Sequence, residues 1–225
     1  MLAALLTECS HFCAQPDDSC LDQCLRAVHR MDAQGLEVTL QRAAALLGSA
    51  ELIDQVLVPL LQNIGVRWRE GELRPAHEHM ATALVRTFLG RMLEAFQPSA
   101  LAPRLIVTTP AGQVHELGAL VVAVTAASTG WRAFYLGPNL PAFEIAGAAH
   151  HTGAKAVAMS IVYPPDDPRL EQEIVGLRRY VGRDIPILVG GPSAAAYRSA
   201  LDLAAAIHVP DIRALRDELD ALGVL

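Results

Sequence analysis

The hydrophobic period of this chain changes once, across Gln97-Pro98-Ser99-Ala100-Leu101-Ala102-Pro103, and that change constrains the fold more than any other feature. Before it, apolar residues recur at helical spacing. After it, they gather into runs of strand length separated by helical stretches. A chain written in these two periods is expected to fold as an all-α helical bundle over residues 1–97, followed by an α/β domain over 104–225. The segment between them, with two prolines and no periodicity, reads as a linker.

In the first part, Leu2, Leu5, Leu6, Cys9, Phe12 and Cys13 share one helical face, and Pro16-Asp17-Asp18-Ser19 breaks the run and caps the next helix. Leu21, Cys24, Leu25, Val28 and Met31 carry the period on to Gly35. A third run from Val38 to Leu47 ends at Gly48-Ser49. A fourth spans Leu52 to Ile64, with Pro59 marking a kink or a false join. After Gly71 a long helix is expected from about Arg74 to Phe96, with Pro75 in its first turn. These make four antiparallel helices and an amino-terminal extra.

In the second part, strand-length runs lie at Leu105–Thr108, Ala133–Leu136, Ala156–Ile161 and Ile187–Val189, with a weaker one at Ile207–Val209. Helical stretches near Leu117–Ala127, Ala142–His151, Arg169–Val181 and Ala194–Ala205 separate them, and Ile212–Leu222 closes the chain. Strands alternating with helices imply parallel strands joined by right-handed crossovers: a doubly wound, Rossmann-like sheet of five strands.

Composition narrows the function. A hydrophobic content of 52% with 19% charged residues describes a well-buried globular protein. A net charge of −6 and a pI near 5.7 argue against a nucleic-acid surface. No apolar run spans a membrane, and the first residues lack the basic start of a signal peptide, so the expected location is the cytoplasm. Cys9, Cys13, Cys20 and Cys24 fall as two pairs, each one helical turn apart. Metal ligation between helices is conceivable, but the usual zinc and cluster spacings are absent, and buried filler is the favoured reading.

The chemistry-bearing stretch is Thr109-Pro110-Ala111-Gly112-Gln113-Val114-His115-Glu116-Leu117-Gly118, between a strand and a helix. In open α/β sheets such a loop lies at the carboxyl end of a strand, where ligands bind. Neutral imidazole there is a ligand for a borderline transition metal. The run Gln113 to Gly118 resembles the D-x-H-x-x-G signature of cobalamin-binding Rossmann-like domains. Ser160-Ile161-Val162 resembles the family's S-x-L, and Gly190-Gly191 its G-G. The chain from about residue 18 onward is thus similar to the cobalamin-binding domain with helical cap. That pairing is found in corrinoid methyl-transfer proteins and in light-sensing regulators of the CarH type. The resemblance implies that His115 displaces the cofactor's own benzimidazole and ligates cobalt from below. It also implies that the displaced nucleotide tail lies in a slot lined by Gly118, Ser160, Val162, Gly190 and Gly191. The family's acidic residue before the ligand is Gln113 here, which offers the imidazole a hydrogen bond but no charge.

Trp68, Glu78 and His79 fit W-x9-E-H, which resembles the cap of the light-sensing regulators, where these residues stand over the corrin and accommodate a 5′-deoxyadenosyl group. Taken alone, the same residues read as a bundle core position and a solvated helix face. In those regulators a histidine follows the tryptophan; here the residue is Arg69, with His77 or His79 as possible substitutes above the metal. Some relatives, the photocobilins, hold a bilin such as biliverdin as well. The resemblance therefore implies a non-enzymatic sensor that holds adenosylcobalamin between cap and sheet. Loss of the upper ligand in light would then signal through a homo-oligomer, dimer or larger, or through an unidentified protein partner. The alternative is a corrinoid carrier of a methyltransferase system.

Overall fold

The computed structural model describes residues 19–223. Cys9, Cys13 and the expected amino-terminal helix lie outside the described residues. The bundle consists of α1 (Cys20–His29), α2 (Ala33–Leu46), a helix made of α3 (Ser49–Leu52), a π-helical turn (Ile53–Leu57) and α4 (Val58–Arg69), and α5 (Pro75–Ala95). The Ser19 hydroxyl caps α1 by accepting from the N–H of Asp22 at 3.1 Å, as the sequence predicts.

Two bundle features differ from the sequence-based expectation. The second run does not continue to Gly35. It stops at His29, Met31 turns the chain with φ 55°, and Asp32 caps α2 by accepting from the N–H of Gly35 at 2.8 Å. Gly35 is an early residue of α2 rather than a stop, and a Cβ there would stand 2.2 Å from Asp32 Oδ2. Its missing side chain makes the cap possible. Pro59 neither breaks nor falsely joins the fourth helix. The π-helical turn just before it opens the hydrogen-bond ladder where the ring and absent N–H would otherwise conflict.

After residues 97–103 come β1 (Arg104–Thr108), α6 (Leu117–Ser128), β2 (Arg132–Tyr135), α7 (Ala142–Thr152), β3 (Ala156–Ser160) and α8 (Pro168–Val181). These are followed by β4 (Ile187–Gly190), a 3₁₀ turn (Ala194–Tyr197), α9 (Arg198–Leu203), β5 (Ile207–Val209) and α10 (Ile212–Gly223). All five strands are parallel, in the order β2-β1-β3-β4-β5. The central strands β1 and β3 are buried along almost their whole length, because helices cover both faces. Alternate residues serve the two layers. Ile106, Val157 and Val189 pack with α7, α8 and α9, while Leu105, Val107 and Ala158 pack with α6 and α10.

Helix α6 is apolar all round because it is covered on two sides. Ala119, Ala123 and Ala126 face the sheet. Leu120, Val121 and Val124 belong to the core of the bundle, with Leu60, Val85 and Leu89. Small residues let the helix lie close to the strands, and larger ones fill the bundle side. A bidentate ion pair, Arg216 of α10 to Asp54 at 2.8 and 3.0 Å, ties the two layers again. No helix among the described residues is long and apolar enough to cross a membrane.

Candidate functional site at the sheet's switch point

The chain leaves β1 toward β2 on one side and returns to β3 on the other, so the order reverses between β1 and β3. Loops that diverge at such a point leave a crevice beyond the strand ends. The loop after β1 carries Gln113 and His115, the loop after β3 carries Val162, and Gly190 pairs with Ser160 at the end of β4, so the topology brings the three motifs together.

The β1 loop is held from the β2 side. Thr109 Oγ1 accepts from the N–H of Asn139 at 2.8 Å, Asn139 Oδ1 accepts from the N–H of Gly112 at 2.7 Å, and Leu140 N–H donates to Thr109 O at 3.0 Å. Asn139 adopts φ 63° and Gly112 φ 87°, left-handed conformations suited to those two residue types. From the β3 side the loop is held by Gln113, which is almost wholly buried. Its Oε1 accepts from the N–H groups of Val162 at 3.0 Å and Tyr163 at 3.2 Å. The amide carbonyl is therefore spent on the neighbouring loop, and no hydrogen bond joins Gln113 to His115 among the described residues. Gln113 Nε2 is buried without a partner, a donor in want of an acceptor.

His115 itself is exposed and makes no side-chain hydrogen bond or ion pair among the described residues, so both ring nitrogens are open to a ligand. Gly118, in the first turn of α6, lies against the carboxyl end of β3: a Cβ there would be 2.5 Å from Ser160 Oγ. Gly190 and Gly191 also allow close approach. A Cβ on the first would meet Val209 O at 2.9 Å, and one on the second, at φ 102°, would meet Ile161 O at 2.4 Å. At all three glycines the partner seen in this structure is another segment of the protein. The β3 and β4 loops are stitched further by Ser193 Oγ donating to Val162 O at 2.6 Å.

Glu116, beside His115, joins the site to the bundle. Arg86 of α5 contacts its carboxylate through Nε at 2.6 Å, and the hydroxyl of Tyr135, at the end of β2, donates to its other oxygen. Burial, and then the adjoining carboxylate, push the Tyr135 phenol far above its ordinary range, so it stays a donor. Sequence reasoning missed Arg86. It gave no role to Thr109 and Glu116, which lie in the chemistry-bearing stretch, or to Tyr135 and Asn139, which lie in the family-like run Tyr135 to Pro141. Their partners are about 20 to 30 residues away, and only the fold brings them together.

In the cap, Trp68 is 49% exposed in the last turn of α4. Glu78 pairs with His79 at 3.1 Å. His77 Nδ1 accepts from the N–H of Arg74 at 3.2 Å, which commits that nitrogen to the start of α5, and its ring lies 6.5 Å from that of His29. Glu78 and Arg86 are eight residues apart on one face of α5, which places Glu78 about 12 Å along the helix from the Glu116 contact. Cys24 is buried and its thiol is pushed up to about 12, chiefly by burial, as befits a core filler. Among the described residues no three His, Cys, Asp or Glu side chains form a metal cage.

Val114, Leu136, Phe143 and Tyr163, all on loops or helix starts beyond the strand ends, are exposed apolar side chains. An open imidazole, an orphaned buried amide donor and an apolar rim suit a large, flat, metal-bearing ligand with polar edges. The residues present therefore fit a corrinoid.

Residues 20–92 match one family described as the B12 binding domain, and residues 103–214 match a second of the same description. The chain is 32% identical over 173 residues to the HTH-type transcriptional repressor CarA of Myxococcus xanthus, covering 75% of this chain and 57% of the relative. It is 29% identical over 185 residues to CarH of the same organism, covering 82% and 61%. The chain thus spans about three fifths of the length of these relatives. It is also 23% identical over 160 residues to dimethylamine corrinoid protein 2 of Methanosarcina mazei, covering 68% of this chain and 74% of that protein. In fold it is similar to the monomethylamine corrinoid protein of Methanosarcina barkeri, with a TM-score of 0.70 at 18% identity over 90% of this chain and 98% of that one. With both its bundle and its parallel sheet matched, the chain belongs to the B12-binding domain family and is a cobalamin-binding protein.

Proposed function

We propose that this protein is a light sensor that holds adenosylcobalamin between the bundle and the sheet, with His115 as the lower cobalt ligand. The open imidazole at the switch point is the observation that carries this reading. Neutral histidine binds cobalt through one ring nitrogen, and a ring with no protein partner has a nitrogen to give. The buried, unpartnered Gln113 Nε2 supports it as a donor for a polar edge of the cofactor. Ser160, Val162 and the glycines at 118, 190 and 191 border the cleft proposed for the nucleotide tail.

In this reading Trp68 would offer an exposed indole wall, and Glu78 would offer acceptors for the hydroxyls of an adenosyl group. Similarity to the CarA and CarH repressors, higher in identity than to the corrinoid proteins, supports a regulatory sensor over a methyl carrier. When bound there, adenosylcobalamin would supply a light-labile cobalt–carbon bond. Trp68 and Glu78 would then lose the group they pack against, and the bundle would settle differently on α6. Such a packing change biases a two-state element, which is how a local event reaches an oligomer interface or a protein partner. A cytoplasmic location, a non-enzymatic role and a bilin as second chromophore belong to the same proposal.

The test is an absorption spectrum of the protein with adenosylcobalamin in darkness and after green light, repeated with biliverdin. A light-driven change that His115→Ala abolishes, together with at least tenfold weaker binding, is the expected result. A light-stable spectrum, with a methyl form that turns over with a methyltransferase, would instead identify a carrier.

A further inference from the structure

We infer that Glu116 and Arg86 are positioning residues that couple the bundle to the loop bearing His115. The inference rests on the reading of His115 as the cobalt ligand. Glu116 follows that histidine directly and stands immediately before α6. Its carboxylate is 12% exposed and is gripped on both sides, by Arg86 Nε at 2.6 Å from the bundle and by the Tyr135 hydroxyl from the sheet. Among the described residues the loop behind it has no comparable tie to the bundle: Thr109, Gly112 and Gln113 are bonded to Asn139, Leu140, Val162 and Tyr163, all on the sheet side.

Arg86 shares a face of α5 with Glu78, the proposed contact for the upper ligand, and the helix between them is continuous. A shift of α5 prompted at Glu78 therefore pulls on Glu116, one residue from the imidazole. Movement of the imidazole is felt at the cap by the same route. The two faces of the cofactor site are joined by one helix and one carboxylate. Tyr135 fixes the sheet end of the link: its hydroxyl stays protonated and donates to the Glu116 carboxylate.

The experiment compares wild type with Arg86→Ala, Arg86→Lys and Tyr135→Phe, and with Arg86→Ala in a Glu116→Gln background. Hydrogen exchange of residues 109–118 is measured in unloaded protein, and hydroxocobalamin is then titrated by absorbance. Arg86→Ala is expected to speed exchange of this loop roughly two- to fivefold, the upper part of the range for a partly exposed ion pair. Residues 156–160 of β3 should keep their protection. Arg86→Lys should restore part of the slowing, and Arg86→Ala should add little once Glu116 is Gln. Hydroxocobalamin affinity should fall by a similar factor. Unchanged loop exchange in both Arg86→Ala and Tyr135→Phe overturns the inference, as does faster exchange with unaltered affinity. Failure of wild type to bind hydroxocobalamin sinks the cobalamin reading instead, while the exchange data still decide whether the link exists.

Discussion

Gly118 shows how one missing side chain organises the cleft. Alanine at 118 would put its Cβ 2.5 Å from Ser160 Oγ but at 3.5 Å, an ordinary contact, from Ser160 Cβ. Gly118→Ala alone is therefore expected to cost about 1–2 kcal/mol by overpacking. In a Ser160→Ala background the clash is gone and the helix preference for alanine should appear as a gain of about 0.5–1 kcal/mol. Thermal or urea unfolding of the single and double variants checks the change of sign. Gly191 offers no such rescue, because its neighbour is the Ile161 carbonyl and its φ is 102°; Gly191→Ala should cost more than about 2 kcal/mol in the same assay. A motif marks both glycines, His115 and Ser160 in the sequence, but it does not show that Gly118 closes on Ser160 and Gly191 on the Ile161 carbonyl. The use of Gln113 was not legible either. Its spacing suggested an orienter for the imidazole, whereas its carbonyl accepts from Val162 and Tyr163, about 50 residues on.

At the scale of elements, periodicity located every described helix and strand, and its errors lie at boundaries. The junction of α1 and α2 was hidden because Met31 continues the apolar count, although in the fold it is 45% exposed. What ends α1 is a left-handed turn followed by a cap, and both are local backbone events that hydrophobic spacing does not record. Asp32→Ala should destabilise by about 1 kcal/mol through loss of that cap. Gly35→Ala should also destabilise, against helix propensity, because its Cβ would displace the Asp32 carboxylate from 2.2 Å. Chemical denaturation of the two variants tests this directly, and a stabilised Gly35→Ala would show the cap to be unimportant. Pro59 makes the same point. Its conflict with a regular helix was visible in the sequence, but its resolution, a π-helical turn at Ile53–Leu57, was not.

For the molecule as a whole, α6 is the shared element. It presents alanines to the sheet and Leu120, Val121 and Val124 to the bundle, so the two lobes share apolar surface around one helix. Each of those three side chains contributes about 1.5–3 kcal/mol by its burial. Leu120→Ala, which opens a cavity between lobes, should cost about 2–4 kcal/mol. Differential scanning calorimetry should show the loss in the transition of the bundle and of the sheet together. Two separate transitions, with only the bundle affected, would show that the lobes fold independently. Because the bundle rests on the helix that begins just after His115, a change in one lobe has a short physical path to the other.

Sequence alone determined the order of elements, the doubly wound class of the sheet and the three motif segments, since period and glycine placement are local properties. Tertiary structure decided which segments meet: Gln113 with the β3 loop, Glu116 with Arg86 and Tyr135, and α6 with both lobes. Those contacts depend on crossovers that bring distant residues to the same strand ends, and the pairing of a carboxylate or an amide with a partner far along the chain leaves no periodic trace.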